Sequence, residues 1–144
     1  MLTINEYRKV ESLEEAYELN QNNKIIAGGV WMKIGDRRIA TAIDLSGLGL
    51  DQITETDTEF VIGAMTTLRE IEKHAGLAAY TDGAIRESVR HIVGVQFRNC
   101  ATVGGSIFGR FGFSDVLTVF LAMDTQVELY HAGMVSLKEF IDMP

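Results

Sequence analysis

Cysteine and proline are almost absent: Cys100 and Pro144 are the single copies of each in 144 residues. One cysteine closes no disulfide within the chain and cannot assemble a zinc or iron–sulfur site. Histidine is nearly as scarce, and His74, His91 and His131 lack the spacing of metal ligands. Basic charge is in deficit, with 13 Lys and Arg against 20 Asp and Glu and a net charge of −7. That balance opposes nucleic-acid binding, which needs cations to neutralise phosphates. It leaves room for a small phosphate-bearing ligand, because backbone N–H groups can hold phosphate unaided. No apolar run approaches the ~20 residues of a membrane span, and Met1 is not followed by a basic and then apolar leader. The expectation is a cytoplasmic protein with no membrane contact. Two nucleotide signatures are also missing. No G-x-G-x-x-G opens a helix and no Gly-rich loop ends in Lys-Ser or Lys-Thr, which argues against Rossmann and P-loop sites.

What is present reads as an ordinary globular chain, 47% apolar and 23% charged. Its length suits one domain, or two small subdomains sharing a core. Ser12 and Glu15 form a capping-box pattern for a helix that buries Leu13, Ala16 and Tyr17 and ends near Asn20–Asn23. Strands are expected at Lys24–Ala27, Ile39–Leu45 and Gln52–Glu55, and Phe60-Val61-Ile62 leads into Gly63. Thr67 and Glu70 repeat the capping pattern for a helix through His74, and another helix should run from Asp82 to about His91. Ser114 or Asp115 caps an apolar helix through Met123. A strand at Gln126–Tyr130 and a short helix begun by Ser136 and Glu139 complete the series. The order implies an α+β fold of two packed pieces, with the joint near Thr54–Asp57 and subdomains at 1–55 and 56–144.

Two glycine pairs stand out: Ala27-Gly28-Gly29-Val30 and Ala101-Thr102-Val103-Gly104-Gly105-Ser106. Each reads as a turn in which glycine tolerates positive φ and lets a backbone approach a ligand closely. Successive N–H groups in such turns can converge on a pyrophosphate. Nearby, Cys100 reads as a small buried filler. Arg98 either reaches a cofactor phosphate or bonds loop carbonyls, and Lys33 is solvated. The run Phe108-Gly109-Arg110-Phe111-Gly112-Phe113 either covers a cofactor or packs against a partner.

The segments Ile26-Ala27-Gly28-Gly29, Ile43-Asp44-Leu45-Ser46 and Ile62-Gly63-Ala64-Met65-Thr66-Thr67 resemble the FAD-binding domain of molybdopterin dehydrogenases. So do Gln96 through Ile107, Ser114-Asp115 and Leu121-Ala122-Met123-Asp124, all in the family's order. That family holds the flavin subunits of xanthine dehydrogenase, carbon monoxide dehydrogenase and nicotinate dehydrogenase. The resemblance implies two packed α+β subdomains of the type also found in vanillyl-alcohol-oxidase-like flavoproteins, with FAD lying between them. It implies that Ala27, Gly28, Gly29, Val30 and Trp31 form one pyrophosphate-facing loop, and Thr102, Gly104, Gly105 and Ser106 a second. By the same resemblance Asp115 accepts a hydrogen bond from a ribose hydroxyl, and Ile92 packs beside the cofactor. Three positions depart from the family pattern: Val30 replaces the usual Thr, Trp31 a polar residue, and Ser106 the usual Asn. The implied function is transfer of electrons from iron–sulfur clusters through FAD to NAD or another acceptor. The implied partners are an iron–sulfur small subunit with 2Fe-2S clusters and a large subunit carrying molybdopterin and molybdenum. Family members continue beyond the equivalent of Pro144, so the chain is expected to be their front portion. It is then expected to bind FAD weakly by itself and to expose apolar surface. The rival expectation is a non-catalytic fragment or interaction module that keeps the fold without FAD.

Overall fold

The computed structural model describes residues 1–144, and its first element is a strand that sequence periodicity conceals. β1 (Thr3–Lys9) is exposed along its whole length, so neither face carries an apolar alternation. Main-chain pairing holds it instead. β1 and β2 (Lys24–Ile26) flank β3 (Arg38–Asp44) in a parallel sheet of order β1-β3-β2, with Lys9 and Ile26 both facing Asp44. The central strand supplies the buried Ile39, Ala42 and Ile43, which is why its apolar run is the legible one.

α1 (Leu13–Asn20) links β1 to β2 and packs Ala16 into a small core with Val10, Ile43 and Leu45. The expected buried face is corrected here: Leu13 and Tyr17 remain exposed. Tyr17 turns outward to Tyr130 and His131, with ring centroids 5.7 and 4.6 Å away. The capping box is also only half formed. The Ser12 hydroxyl accepts from the Glu15 N–H at 3.1 Å, but the Glu15 carboxylate accepts from the Glu11 N–H at 2.9 Å and from Arg8 Nε at 2.8 Å. At the end of β3, Asp44 accepts from the Tyr7 hydroxyl and from the Ser46 N–H and hydroxyl. Burial pushes the Asp44 carboxyl up, yet these bonds and Lys9 outweigh it and hold the group below the usual range. The Ile43-Asp44-Leu45-Ser46 motif thus closes the sheet.

The rest of the chain builds a larger core around helices. An antiparallel pair, β4 (Ile53–Glu55) and β5 (Phe60–Ile62), leads into α2 (Leu68–Lys73), where Thr67 and Glu70 make both legs of the capping box. α3 (Ala75–Tyr80) follows at once, because His74 Nδ1 accepts from the Leu77 N–H and caps a new helix. α4 (Ala84–Arg90) starts after Gly83 at φ +81° rather than at Asp82. Two short helices that periodicity did not reveal come next, α5 (Val95–Arg98) and α6 (Val103–Phe108). α7 (Asp115–Leu121) is capped by Ser114, which settles the choice left open with Asp115. β6 (Gln126–Leu129) and β7 (Gly133–Ser136) form a hairpin, and α8 (Leu137–Asp142) closes the chain with a complete Ser136–Glu139 capping box. Leu68 and Ile71 of α2, Ile85 and Val89 of α4, and Val116, Leu117 and Phe120 of α7 lie at the centre of this core. The two cores exchange residues: Val30 packs on the larger and Met65 on the smaller. No helix is long and apolar enough to cross a membrane.

One ion pair is buried within this architecture. Glu72 of α2 accepts from Arg98 Nε at 2.8 Å and Nη2 at 3.4 Å, while Arg69 lies 2.8 Å away on the other side. Burial pushes the Glu72 carboxyl up, but the two guanidinium groups prevail and hold it below its ordinary value. Replacing Glu72 by Ala strands the Arg98 charge and should cost about 3–5 kcal/mol in urea denaturation. Because folding lowers the Glu72 pKa, the pair's contribution is whole above the unfolded value of about 4.3 and is lost as pH falls through the folded one. The acid limb of the stability–pH curve should therefore be shallower in Glu72→Gln than in the parent chain.

Candidate functional site

The two glycine motifs, 72 residues apart between Gly28 and Cys100 in sequence, meet in space. A Cβ placed on Gly28 would lie 1.7 Å from the Cys100 carbonyl oxygen and 3.1 Å from the Ala101 nitrogen. No side chain fits there, so the loop after β2 rests backbone to backbone on the segment before α6. Gly29 is glycine for a different reason. Its φ is +66°, a left-handed conformation, while only Lys33 Cε comes near its Cβ position, at 3.9 Å. Trp31 returns to right-handed helical angles, and a single turn of 3-10 helix at Met32–Ile34 follows.

The loop's polar groups are unusually free. The N–H groups of Ala27, Gly28, Gly29, Val30 and Trp31 donate to no acceptor in the chain. Ala27 through Val30 are half-buried, so these five consecutive donors are left to a restricted stretch of solvent or to a ligand. A mixed left- and right-handed backbone of this kind turns successive N–H groups toward one side, the arrangement that receives anions.

The second glycine pair behaves differently from the turn expected of it. Gly104 and Gly105 occupy the first turn of α6, capped by Thr102. Most of their neighbours' donors are committed: Val103 N–H to the Thr66 carbonyl at 2.9 Å, Gly104 to Ala64 at 3.0 Å, and Ser106 to Thr102 at 3.0 Å. Gly105 N–H donates to the Thr102 hydroxyl at 3.1 Å. Gly104 must be glycine because a Cβ would lie 2.5 Å from the Ala64 carbonyl oxygen. Gly105 is exposed. The Thr102 N–H and the hydroxyls of Thr102 and Ser106 are what this motif can offer to a ligand, and Ser106 already donates to the Thr102 carbonyl at 2.8 Å.

A third segment joins the two motifs. Trp31 packs against Phe111 and Phe113, at centroid distances of 5.2 and 5.7 Å. Phe111 lies across Gly109, where a Cβ would come within 2.8 Å of its ring. Arg110 turns away at φ +51°, donates to the Met143 carbonyl and covers the Phe140 ring at 4.6 Å. Two roles were expected of this run, covering a cofactor or packing against a partner, and its contact with Trp31 sets it beside the first motif. The signal available was the phenylalanine–glycine alternation.

The remaining residues sort plainly. Arg98 is buried, donating to Glu72 and, through Nη1, to the Ile92 carbonyl at 3.1 Å; of its two expected roles it fills the structural one. Ile92 is half-buried against the larger core, and Asp115 is an exposed first residue of α7. No hydrogen bond or ring contact ties either to the glycine motifs. Cys100 is exposed, which corrects the expectation of a buried filler. Its carbonyl, not its thiol, is what packs. An open polar groove near Asp51, Thr67, Lys73 and Asn99 is a weaker candidate, since Arg69 is engaged by Glu72, Glu70 by Thr67 and His74 by Leu77.

The distinct roles of the glycines can be measured. Gly28→Ala should force the two motifs apart and cost about 1–3 kcal/mol, as overpacking does. Gly29→Ala should cost about 1–2 kcal/mol through its left-handed backbone alone. Gly112→Ala is the control, since nothing lies within 4 Å of its Cβ position. Equal urea midpoints for Gly28→Ala and Gly112→Ala would show that the close approach does not exist in solution.

The arrangement has known relatives. Residues 3–144 match the family model described as the FAD binding domain in molybdopterin dehydrogenase. A protein of Escherichia coli K12 named YgfM, itself uncharacterized, is 28% identical over 98% of this chain and 55% of its own length. The fold superposes on carbon monoxide dehydrogenase from Hydrogenophaga pseudoflava with a TM-score of 0.83 at 26% identity, over 94% of this chain and 51% of that one. Quinoline 2-oxidoreductase from Pseudomonas putida 86 shares the fold with a TM-score of 0.81 at 21% identity, over 94% and 51%. The chain thus spans about half the length of the relatives it matches. With a family model covering all but its first two residues, the chain belongs to the family of FAD-binding domains of molybdopterin dehydrogenases.

Proposed function

We propose that this chain binds FAD across its two glycine motifs, as the flavin-binding part of a cytoplasmic molybdenum hydroxylase of the xanthine dehydrogenase type. The observation that carries the reading is the run of free N–H donors from Ala27 to Trp31, held beside the second motif by the side-chain-free approach at Gly28. A pyrophosphate needs several donors at close quarters, and a chain of net charge −7 is better suited to supply them from its backbone than from cations. The residues present therefore fit the cofactor.

In this reading the N–H groups of Ala27, Gly28, Gly29, Val30 and Trp31 bind the pyrophosphate. Thr102 and Ser106 contribute hydroxyls, and Gly104 and Gly105 keep the facing surface low. Asp115 accepts from a ribose hydroxyl, an assignment compatible with its exposed position at the start of α7. Ile92 gives apolar contact, and Arg98 acts on it indirectly by holding its carbonyl. Bound FAD supplies electron exchange between iron–sulfur clusters and NAD or another acceptor; the protein's part is to bind and orient it. With a single cysteine here, the 2Fe-2S clusters belong to a small partner subunit, and molybdopterin to a large one. We place the joint between the two subdomains near residue 55, in the β4–β5 hairpin.

Titrating FAD into the chain, followed by flavin fluorescence anisotropy, tests the reading directly. Saturable binding at one FAD per chain is expected, and a flat titration overturns it. Asp115→Ala should weaken FAD by about 1.5–3 kcal/mol, the range for a bond to a charged group. Ser114→Ala separates ligand binding from helix capping. The Ser114 hydroxyl accepts from the Leu117 N–H at 3.1 Å, so its loss should lower stability by about 0.5–2 kcal/mol and leave FAD affinity unchanged.

A further inference from the structure

We infer that Trp31, Phe111 and Phe113 form a stacking face for a planar ring of the nucleotide whose phosphates the Ala27–Trp31 loop holds. The inference rests on the FAD reading above and deepens it, because it assigns a ring-binding function to the Trp31 side chain and to two phenylalanines outside the phosphate loops. Three observations carry it.

The first is exposure. Trp31 is 53% exposed, Phe113 67% and Phe111 37%. Trp31 and Phe113 keep more than half of their surface in water although they pack against Phe111, so an apolar face is left open. The second is construction. Phe111 and Phe113 stack at 5.1 Å with 13° between planes, and Trp31 leans on both. Gly109 makes room for the Phe111 ring, the Ser114 N–H closes the turn onto the Phe111 carbonyl at 2.9 Å, and Arg110 anchors the loop to α8. A face fixed in advance loses little conformational freedom when a ring settles on it. The third is continuity. Trp31 supplies the last of the five free N–H groups and also the first ring of the face, so phosphate donors and aromatic surface share one residue.

A ligand that satisfies both parts carries anionic phosphate beside a flat heteroaromatic ring, which is the chemistry of a nucleotide. FAD has such a ring on either side of its pyrophosphate, adenine on one and isoalloxazine on the other. The donors are common to both, so ADP and FMN distinguish which ring occupies the face. Aromatic side chains beneath nucleic-acid bases show the strength to expect, since their removal weakens binding by roughly 5- to 150-fold.

The chain is suited to the test because Trp31 is its only tryptophan and its emission reports on this face alone. FAD affinity should fall about ten-fold or more in Trp31→Ala, fall by less in Phe113→Ala, and recover largely in Trp31→Phe. Both truncated side chains are exposed, so melting temperatures should stay near that of the parent and serve as the folding check. Whichever of ADP or FMN carries the stacked ring should quench Trp31 emission saturably, while inorganic pyrophosphate leaves it unchanged. Parent-like FAD affinity in both Trp31→Ala and Phe113→Ala would overturn the stacking face and leave the FAD reading standing. Absence of FAD binding by the parent chain would overturn the two together.

Discussion

The contact between Gly28 and the Cys100 carbonyl determines what the rest of the molecule must achieve. Two backbones approach so closely that even a methyl group is excluded, and one belongs to the parallel sheet while the other belongs to the helical part. Such an approach has little adhesion of its own, so each side has to be held from behind. On one side β2 is paired with β3, which is closed by Asp44. On the other, Leu68, Val103 and Gly104 donate their N–H groups to Ala101, Thr66 and Ala64, binding the start of α2 to the start of α6. The buried Glu72–Arg98 pair then fixes α5 immediately upstream of Cys100. A pair of this kind is weak evidence of net stability, but removing one partner is costly, and that asymmetry is what holds a segment in one place.

Glycine does three separate jobs around this contact. At Gly28 and Gly104 it permits close packing, at Gly29 a left-handed turn, and at Gly109 a bed for an aromatic ring. Unpaired main-chain donors accompany only the glycines of the first motif, Gly28 and Gly29. The two motifs look alike as text, yet nearly all of the second motif's N–H groups are consumed in building α6 and its junction with α2. The first motif, with no regular element of its own, keeps its donors free. The difference lies in hydrogen-bond accounting, which composition and spacing do not contain.

The same distinction explains what could be read in advance. Elements with local signals were legible: the Ser12, Thr67 and Ser136 starts, the apolar run of β3, and the α7 helix all depend on residues within a few positions of one another. β1 was not, because its seven residues are exposed and only β3 tells them to be a strand. α5 and α6 are too short for a helical period to register, and glycines in α6 read as a turn. Tyr17 was expected inward because its spacing puts it on one helix face with Leu13 and Ala16, but its partners, Tyr130 and His131, lie more than a hundred positions away. At the candidate site the turn at Gly28-Gly29 was legible from local chemistry, whereas the second glycine pair, expected as a turn, lies in the first turn of α6. The meeting of Trp31 with Phe111 and Phe113 was not legible, since it depends on how two distant loops dock.

That docking bears on the three departures from the family pattern. By the resemblance, Val30, Trp31 and Ser106 stand where side-chain hydroxyl, polar and amide groups are expected, and each alters what side chains would offer a phosphate. The free donors of the first loop lie entirely on the main chain, so none is lost by substituting a side chain. Val30 points its apolar side chain toward the larger core and helps to seat the loop. Trp31 instead stays half in water, where Phe111 and Phe113 of the segment between α6 and α7 support it. In the proposed FAD reading, recognition rests on backbone and ring more than on polar side chains. A backbone donor cannot be removed by mutation short of proline, whereas a ring can be, and so the aromatic residues are the part of this surface most open to change by substitution.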